Sequence, residues 1–535
     1  MKKLIIVLLL TLPVLGFGQR LSSDFEVTKS SPFKVVDAKN KDYVEVGNGI
    51  TISVKTAGKR MTIQKFDVNK MKEVARNQYE DFPKYAKVQK LLKIDGRLYY
   101  VFEAYNKKQK TFSVYSREIN IEDATFKASK KLLTSSVPVV APRSLVAVPT
   151  FWGVAYAPKF EVITSFDESK ILIRYRTKPR SKRDSKNYDI LGFYVFDNKF
   201  DKIWGSEVEM PHTEKEMNNL AYTVTTDGTA FMLARLNEAK SFELITVDAN
   251  GLEKKELAIK DGLIFDKFYL KESANKNILA AGYYGNGTEL KVNWNGDMSR
   301  SKNINGLYVF ELGLDGSIIK ENDYPFSIRL IKKYLSKRQK KKAGKKEGKG
   351  KAGISDLVLR EFTVNADGSI VVVGEVYYTR KELWMTSMKP VTHYSNIVIT
   401  KIDAQGNLVW EKKLPKNQAA LAGAYQALGG LGISYMQGDG AHYLLFIDNK
   451  KNALAKMNLP AKPHKGGFGG YLTAYKVDDK TGDVEKHLIL DLTNIKGTRA
   501  YQFYTTRIFE AKDKTFMLEV YIKKKKDMMV KMKLN

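Results

Sequence analysis

The sequence predicts an all-β fold: a single eight-bladed β-propeller closed by a strand from its own N-terminus. Three observations carry this. First, short polar turns recur at Gly47-Asn48, Asp95-Gly96, Asp167-Glu168, Asp227-Gly228, Asn275-Lys276, Asp367-Gly368, Asp439-Gly440 and Asp513-Lys514. Each is followed by an apolar or aromatic run such as RLYYVFEAY or SIVVVGEVYY, and Asp, Asn and Gly are the residues that accept tight turns between strands. Second, seven further turn segments alternate with these eight, at 66–74, 119–126, 196–204, 247–257, 312–321, 402–410 and 477–488. Third, the eighth unit stops one strand short after MMVKMKL (528–534), while DFEVTKSSPFKVV (24–36) is strand-like and has no hairpin partner. Two hairpins make one four-stranded unit, with strands A to D. Supplying the missing strand D from residues 24–36 closes the ring and leaves no open sheet edge. A seven-bladed ring with one hairpin misread is the alternative. Two β-sandwich domains fit less well, because the alternation of turns runs unbroken along the chain.

The elements follow in order. Met1-Lys2-Lys3, the apolar run Leu4 to Leu15 and the small residues of Gly16-Phe17-Gly18 read as a secretory signal, residues 1–18, cut before Gln19. The propeller then occupies 19–535, and no later stretch is apolar for long enough to cross a bilayer as a helix. Helix signals are sparse: KEVARNQY (72–79) and SDLVLREF (355–362) could each form a turn or two. The stretch 336–353 carries nine basic residues and one acid, so a Lys-rich loop at about 332–353 is expected to be disordered. The chain has no cysteine, which removes disulfides, thiolate metal sites and a lipidated cysteine at the mature N-terminus.

Asp403, Gly406 and Trp410 form a D-x-x-G-x-x-x-W pattern that resembles the repeat of quinoprotein-like (PQQ-type) propellers; Asp197 and Trp204 keep two of its three positions. The resemblance implies a propeller. Some members hold a quinone cofactor for alcohol oxidation, and others are outer-membrane assembly scaffolds anchored through a lipidated cysteine. With no cysteine available for such an anchor or for a vicinal disulfide, the resemblance implies architecture, and no cofactor is expected.

Alternating strand direction puts A–B and C–D turns on one face, and B–C loops and D–A crossovers on the other. The long connections 132–158, 285–306, 379–396, 449–471 and the lysine tract all belong to the second face. Loops on a rigid scaffold carry binding, so a ligand is expected there. Formal net charge is +31, and NKKQK (106–110), KPRSKRDSK (178–186) and KKKK (523–526) make the same face basic. The plain alternative is that these Lys-rich loops are merely solvated, and it weighs as much as the functional one. The functional reading favours an acidic protein or an anionic envelope component, either lipid headgroup or glycan. A signal peptide argues against nucleic acid.

Signals for catalysis are weak. His442 and His487 fall on strands and read as packing residues, whereas His212, His393 and His464 fall on the long-loop face. No two histidines have metal-ligand spacing, and NWNGD (293–297) lacks the remainder of a calcium loop. GGFGG (466–470) reads as a flexible or tightly packed loop, and no nucleophile elbow occurs. Trp204 and Trp410 share a strand-D position and are expected to pack between blades. Trp152, Trp294 and Trp384 lie in long loops, where aromatic residues either bind or pin the loop down. The expected ligand-binding set is therefore Trp152, Trp294, Trp384, His393, His464, Arg180 and Arg183. The reading is an exported, non-catalytic interaction or scaffold protein, periplasmic or outer-membrane-associated. A binder of acidic glycan or lipopolysaccharide is one alternative. A propeller enzyme (hydrolase, lyase or quinone-dependent oxidoreductase) is the other, and it requires a central funnel lined by charged residues from three or more blades.

Overall fold

The computed structural model describes residues 21–535 apart from 39, 84–85, 141–158, 182, 239–240, 260–262, 286–287, 293–297, 385, 423–429, 439 and 512–513. The described residues form a succession of four-stranded antiparallel sheets. Sheet 1 is Asn40–Gly47, Ile50–Ala57, Arg60–Asp67 and Lys72–Tyr79; sheet 2 is Lys87–Ile94, Arg97–Asn106, Thr111–Asn120 and Thr125–Thr134. Sheet 3 is Phe160–Thr164, Lys170–Thr177, Tyr188–Asp197 and Lys202–Thr213; sheet 4 is Met217–Val224, Ala230–Leu236, Phe242–Val247 and Leu252–Leu257. Sheet 5 is Ile264–Glu272, Ile278–Gly285, Gly306–Leu312 and Ile318–Pro325; sheet 6 is Leu357–Val364, Ile370–Trp384, Ser387–Ile402 and Leu408–Leu414. Sheet 7 is Ser434–Gly438, Ala441–Asp448, Tyr471–Asp478 and Val484–Asp491. Sheet 8 has Ile508–Ala511, Thr515–Lys523 and Lys526–Leu534, and its fourth strand is Phe25–Lys29 from the other end of the chain.

Closure pairs the two segments expected from the sequence, 24–36 and 528–534. Phe25 pairs with Leu534 and Lys29 with Val530, and Phe33 pairs with Asp527. Ser22 N–H donates to Leu488 O at 2.8 Å, so the closing segment also grips sheet 7.

Strand side chains alternate between two faces, so each sheet has apolar residues for both neighbours. Apolar clusters occupy the gaps between consecutive sheets. Ile52 and Val54 of sheet 1 meet Leu98 and Tyr100 of sheet 2. Val371 and Ile399 of sheet 6 meet Leu444 and Tyr475 of sheet 7. The last gap joins Met517 and Met529 of sheet 8 to Phe66 and Val68 of sheet 1. The A strands touch one another from sheet 8 through sheets 1, 2, 3, 4, 5 and 6, so they line the axis and the D strands lie outside. This is a β-propeller.

Four local expectations are corrected. Residues 72–79 and 357–364 are strands, not helical turns: both fill a position that a four-stranded sheet requires, and tertiary pairing overrides weak helix propensity. The Lys-rich stretch is helical: α1 is Ile328–Lys332 and α2 is Lys337–Glu347. Ser336 and Gln339 cap the start of α2 reciprocally, and Ala343 packs against the cluster containing Leu330 and Ile331. Residues 379–396, read as a loop, continue strands B and C of sheet 6 as a long β-arm. His464, also read as a loop residue, lies in the two-residue strand His464–Lys465, which runs parallel to Gln418–Leu421.

Candidate functional site

The arm of sheet 6 lies at the opposite end of its strands from the Asp367-Gly368 turn, as the strand arithmetic requires. In its register Tyr378 faces His393, Leu383 faces Met388 and Trp384 faces Ser387. Opposite residues share one side of a hairpin, so the arm has two distinct faces. One carries Tyr378, Arg380, Glu382, Trp384 and His393. There Tyr378 and His393 stack at 4.7 Å, His393 Nε2 lies 3.0 Å from Glu382 Oε1, and Arg380 pairs with the same carboxylate. Burial holds the pKa of His393 below its usual value, with Glu382 opposing. The other face carries Thr379 with Thr392, Lys381 with Pro390, and Leu383 with Met388. Leu383 is 70% exposed and Met388 48% exposed at the tip.

Gln418–Leu421 pairs with the arm at residues 391–394, and His464–Lys465 pairs with that strap in turn. Lys465 Nζ stands 5.9 Å from the centre of the Trp384 ring. The connection 449–470 between strands B and C of sheet 7 is braced from inside. Buried Asn452 donates to Asp448 Oδ1 at 2.6 Å and to Lys462 O at 2.8 Å, and it accepts from Lys462 N–H. Gly470 sits at φ +84°, where a Cβ would lie 2.4 Å from Asp448 O and 3.0 Å from His464 Cε1; tight packing is thus the role of GGFGG. The braced loop presents Leu454, 77% exposed, and Leu459, 53% exposed.

The structure therefore brings Trp384, His393 and His464 into one assembly. Both histidines are buried within it: His393 stacks on Tyr378 and lies against Glu382, and His464 sits in the short strand beside Gln418–Leu421. Arg180 and Arg183 are exposed on the B–C connection of sheet 3, where Asn187 Oδ1 accepts from the Arg180 N–H, and they lie apart from this assembly. Trp152, Trp294 and the 293–297 motif lie outside the described residues. Trp204 and Trp410 bridge consecutive sheets as expected: Trp204 Nε1 donates to Gly228 O at 2.8 Å and Trp410 Nε1 to Asp479 O at 3.0 Å.

Sequence reasoning missed Leu383, Met388, Leu454 and Leu459, because a leucine in a connection reads equally well as a buried anchor. It also missed a conformational signal. The B–C turn of sheet 8 places Lys523, Lys524 and Lys525 at φ 116°, 51° and 56°. Two-residue hairpin turns with positive φ normally take Asn-Gly. Lysine at Lys524 and Lys525 costs about 1 kcal/mol each, so charge is kept at the expense of backbone ease.

The axis offers a second set of groups. Lys90, Glu161, Lys271 and Glu361 come from the A strands of sheets 2, 3, 5 and 6. Both side chains are solvent-accessible along the axis, and Lys90 Nζ donates to Val162 O at 3.2 Å. Partial desolvation holds their pKa values below the lysine range, Glu161 and Glu361 oppose the shift, and Lys271 adds to it for Lys90.

Comparison with protein-family models and with curated proteins finds no match. Among solved structures, the Dos1 propeller aligns over 94% of this chain and 95% of its own, at 8% identity and a TM-score of 0.39. The WD40 domain of SCAP from fission yeast aligns over 96% and 97%, at 6% identity and a TM-score of 0.34. A prolyl endopeptidase aligns over 95% of this chain at 9% identity and a TM-score of 0.37, and this chain spans only 56% of its length. At such similarity these structures carry no weight here; the fold assignment rests on sheet order and on the packing between sheets.

Proposed function

We propose that this chain is an exported, non-catalytic interaction propeller of the cell envelope, and that it docks its partner on the long-loop face. One observation supports this most: the braced arm and loop of sheets 6 and 7 hold Leu383, Met388, Leu454 and Leu459 out into solvent. Apolar side chains held outward by buried hydrogen bonds and ion pairs suit a contact surface. The mature chain, residues 19–535, immobilised and exposed to solubilised envelope from the cells that express it, should retain a partner. Leu383→Ser with Met388→Ser should abolish retention, whereas Lys276→Ser on the turn face should not. Equal retention by all three would refute the docking face. Export is tested separately, by N-terminal sequencing of the protein from the envelope fraction; a first residue other than Gln19 contradicts the proposed cleavage.

A second reading rests on the axial groups Lys90, Glu161, Lys271 and Glu361, which would suit a small charged ligand in the ring. Lys90→Met with Lys271→Met should then remove binding of such a ligand while the docking face keeps its partner.

A further inference from the structure

We infer that the partner of the long-loop face is an anionic lipid surface, with the arm tip and the 449–470 loop entering the interfacial layer and the surrounding lysines meeting the headgroups. This rests on the docking reading above and adds the identity of the partner. The shape of the apolar groups points to lipid. Leu383 and Met388 are a cross-strand pair at the end of a protruding arm, and Leu454 and Leu459 stand on a separate loop. A protein partner must supply a shaped pocket for each such tip, whereas the fluid edge of a bilayer accommodates separate convex tips without one.

Charge agrees. Residues 377–396 and 449–470 together hold eight basic residues and one acid, Glu382. Arg380 is held by Glu382 and Lys450 by Asp491 at 2.7 Å, and the other six basic side chains, all exposed, meet the headgroups. Lysines beside a membrane gain from the negative potential of anionic lipid, while the same groups gain nothing at a neutral surface. Trp384, paired with Ser387 as the outermost pair of the arm, adds on the opposite face of the tip a ring with Lys465 Nζ 5.9 Å from its centre, and tryptophan is a side chain that favours the membrane–water interface. The turn of sheet 8 adds Lys524 and Lys525, kept in left-handed conformations that glycine or asparagine would adopt more readily.

The test is flotation of the mature chain with vesicles of phosphatidylcholine alone and of phosphatidylcholine mixed with phosphatidylglycerol. The expected result is binding to the mixed vesicles only, weakening as salt rises. Leu383→Ser with Met388→Ser should weaken it by about tenfold or more, because little apolar area remains to insert. The thermal midpoint should stay unchanged, since both residues are exposed. Lys524→Gln with Lys525→Gln should weaken it about tenfold as well. No flotation, or equal flotation with both vesicle types, overturns the lipid assignment; so does full binding by the Leu383/Met388 variant. If vesicles fail while that same variant still loses a protein captured from the envelope, the lipid identity is wrong and the docking face stands. If neither readout responds to the variant, both readings fail.

Discussion

Carboxylates at the two ends of the strands live in different environments. At the turn end, aspartates lie near water and are satisfied locally: hydrogen bonds from Ser369 hold Asp367 below the usual carboxylate range, and Asn407 does the same for Asp403. Towards the long-loop end, carboxylates are buried and depend on partners far away in sequence. Glu519 pairs with Lys55 and, at 2.8 Å, with Lys41; burial pushes its pKa up, but the two lysines outweigh burial and hold it far down. Glu375 meets Lys416 at 2.6 Å, and Arg176 holds Asp189 at 2.5 Å and Glu214 at 2.6 Å. The turn aspartates therefore use short-range chemistry that any blade can repeat, and the exception at that end is buried Glu272, which accepts from the turns of sheets 3 and 4 through Phe166 N–H and Thr226 N–H. At the other, sheets 3, 6, 7 and 8 each carry their own ion pairs, arm or loop, and individual solutions of that kind are what a scaffold needs in order to present one specific surface.

Removing residues 20–36 should have the largest effect. It deletes strand D of sheet 8 together with its hold on sheet 7, so cooperative thermal unfolding should be lost or the midpoint should collapse. An unchanged transition would mean that ring closure does not depend on that strand.

Trp410 and Trp384 sharpen the contrast between framework and surface. Trp410→Ala empties a buried site between sheets 6 and 7 and should cost about 3–5 kcal/mol in denaturant unfolding. Trp384→Ala, on the arm, should cost under about 1 kcal/mol and weaken docking instead. A reversed order of stabilities would move the framework to the arm.

Asp42 tests the buried end by pH. It lies in strand A of sheet 1, its Oδ2 has no hydrogen bond among the described residues, and burial raises its pKa to about 6. A carboxyl raised in the folded state favours the neutral form. The stability it contributes is fully present below about pH 4 and is lost as pH rises through about 6. Asp42→Asn should therefore stabilise the protein near pH 7, by up to roughly 3 kcal/mol, and flatten the slope of stability between those limits. No gain at pH 7 would show that water reaches this carboxylate.

Much of the framework was legible because its signals are local. Asp-Gly and related turns, strand-forming runs and the unpaired segment at 24–36 each act over a few residues, and together they dictate the sheet order. The ion clusters were not legible: Lys55 and Glu519 are 464 residues apart, and nothing local marks either as buried. Helix α2 carried a usable signal in Ser336 and Gln339, hidden by a lysine and glycine composition typical of disorder. The arm was obscured by Pro390, which argues against a strand interior. The Pro390 carbonyl still takes part in the pairing, accepting from Ala422 N–H at 2.9 Å. Trp384 was found in the correct region, but the exposed leucines around it were not, because exposure depends on the fold and cannot be read from leucine itself.

The turn of sheet 8 tests the same contrast through a modest gain. Lys524→Asn with Lys525→Gly suits the backbone of that turn and should raise stability by about 1 kcal/mol while weakening docking through lost charge. A stability loss would mean that these lysines make contacts essential to folding.

Hydrogen exchange of the mature chain, alone and with anionic vesicles, asks the central question in a single experiment. Protection should appear in 377–394 and 449–470 and be absent from the turns around 366–369 and 403–406. Protection centred on those turns, with the arm exchanging as freely as before, would contradict the assignment of the working face.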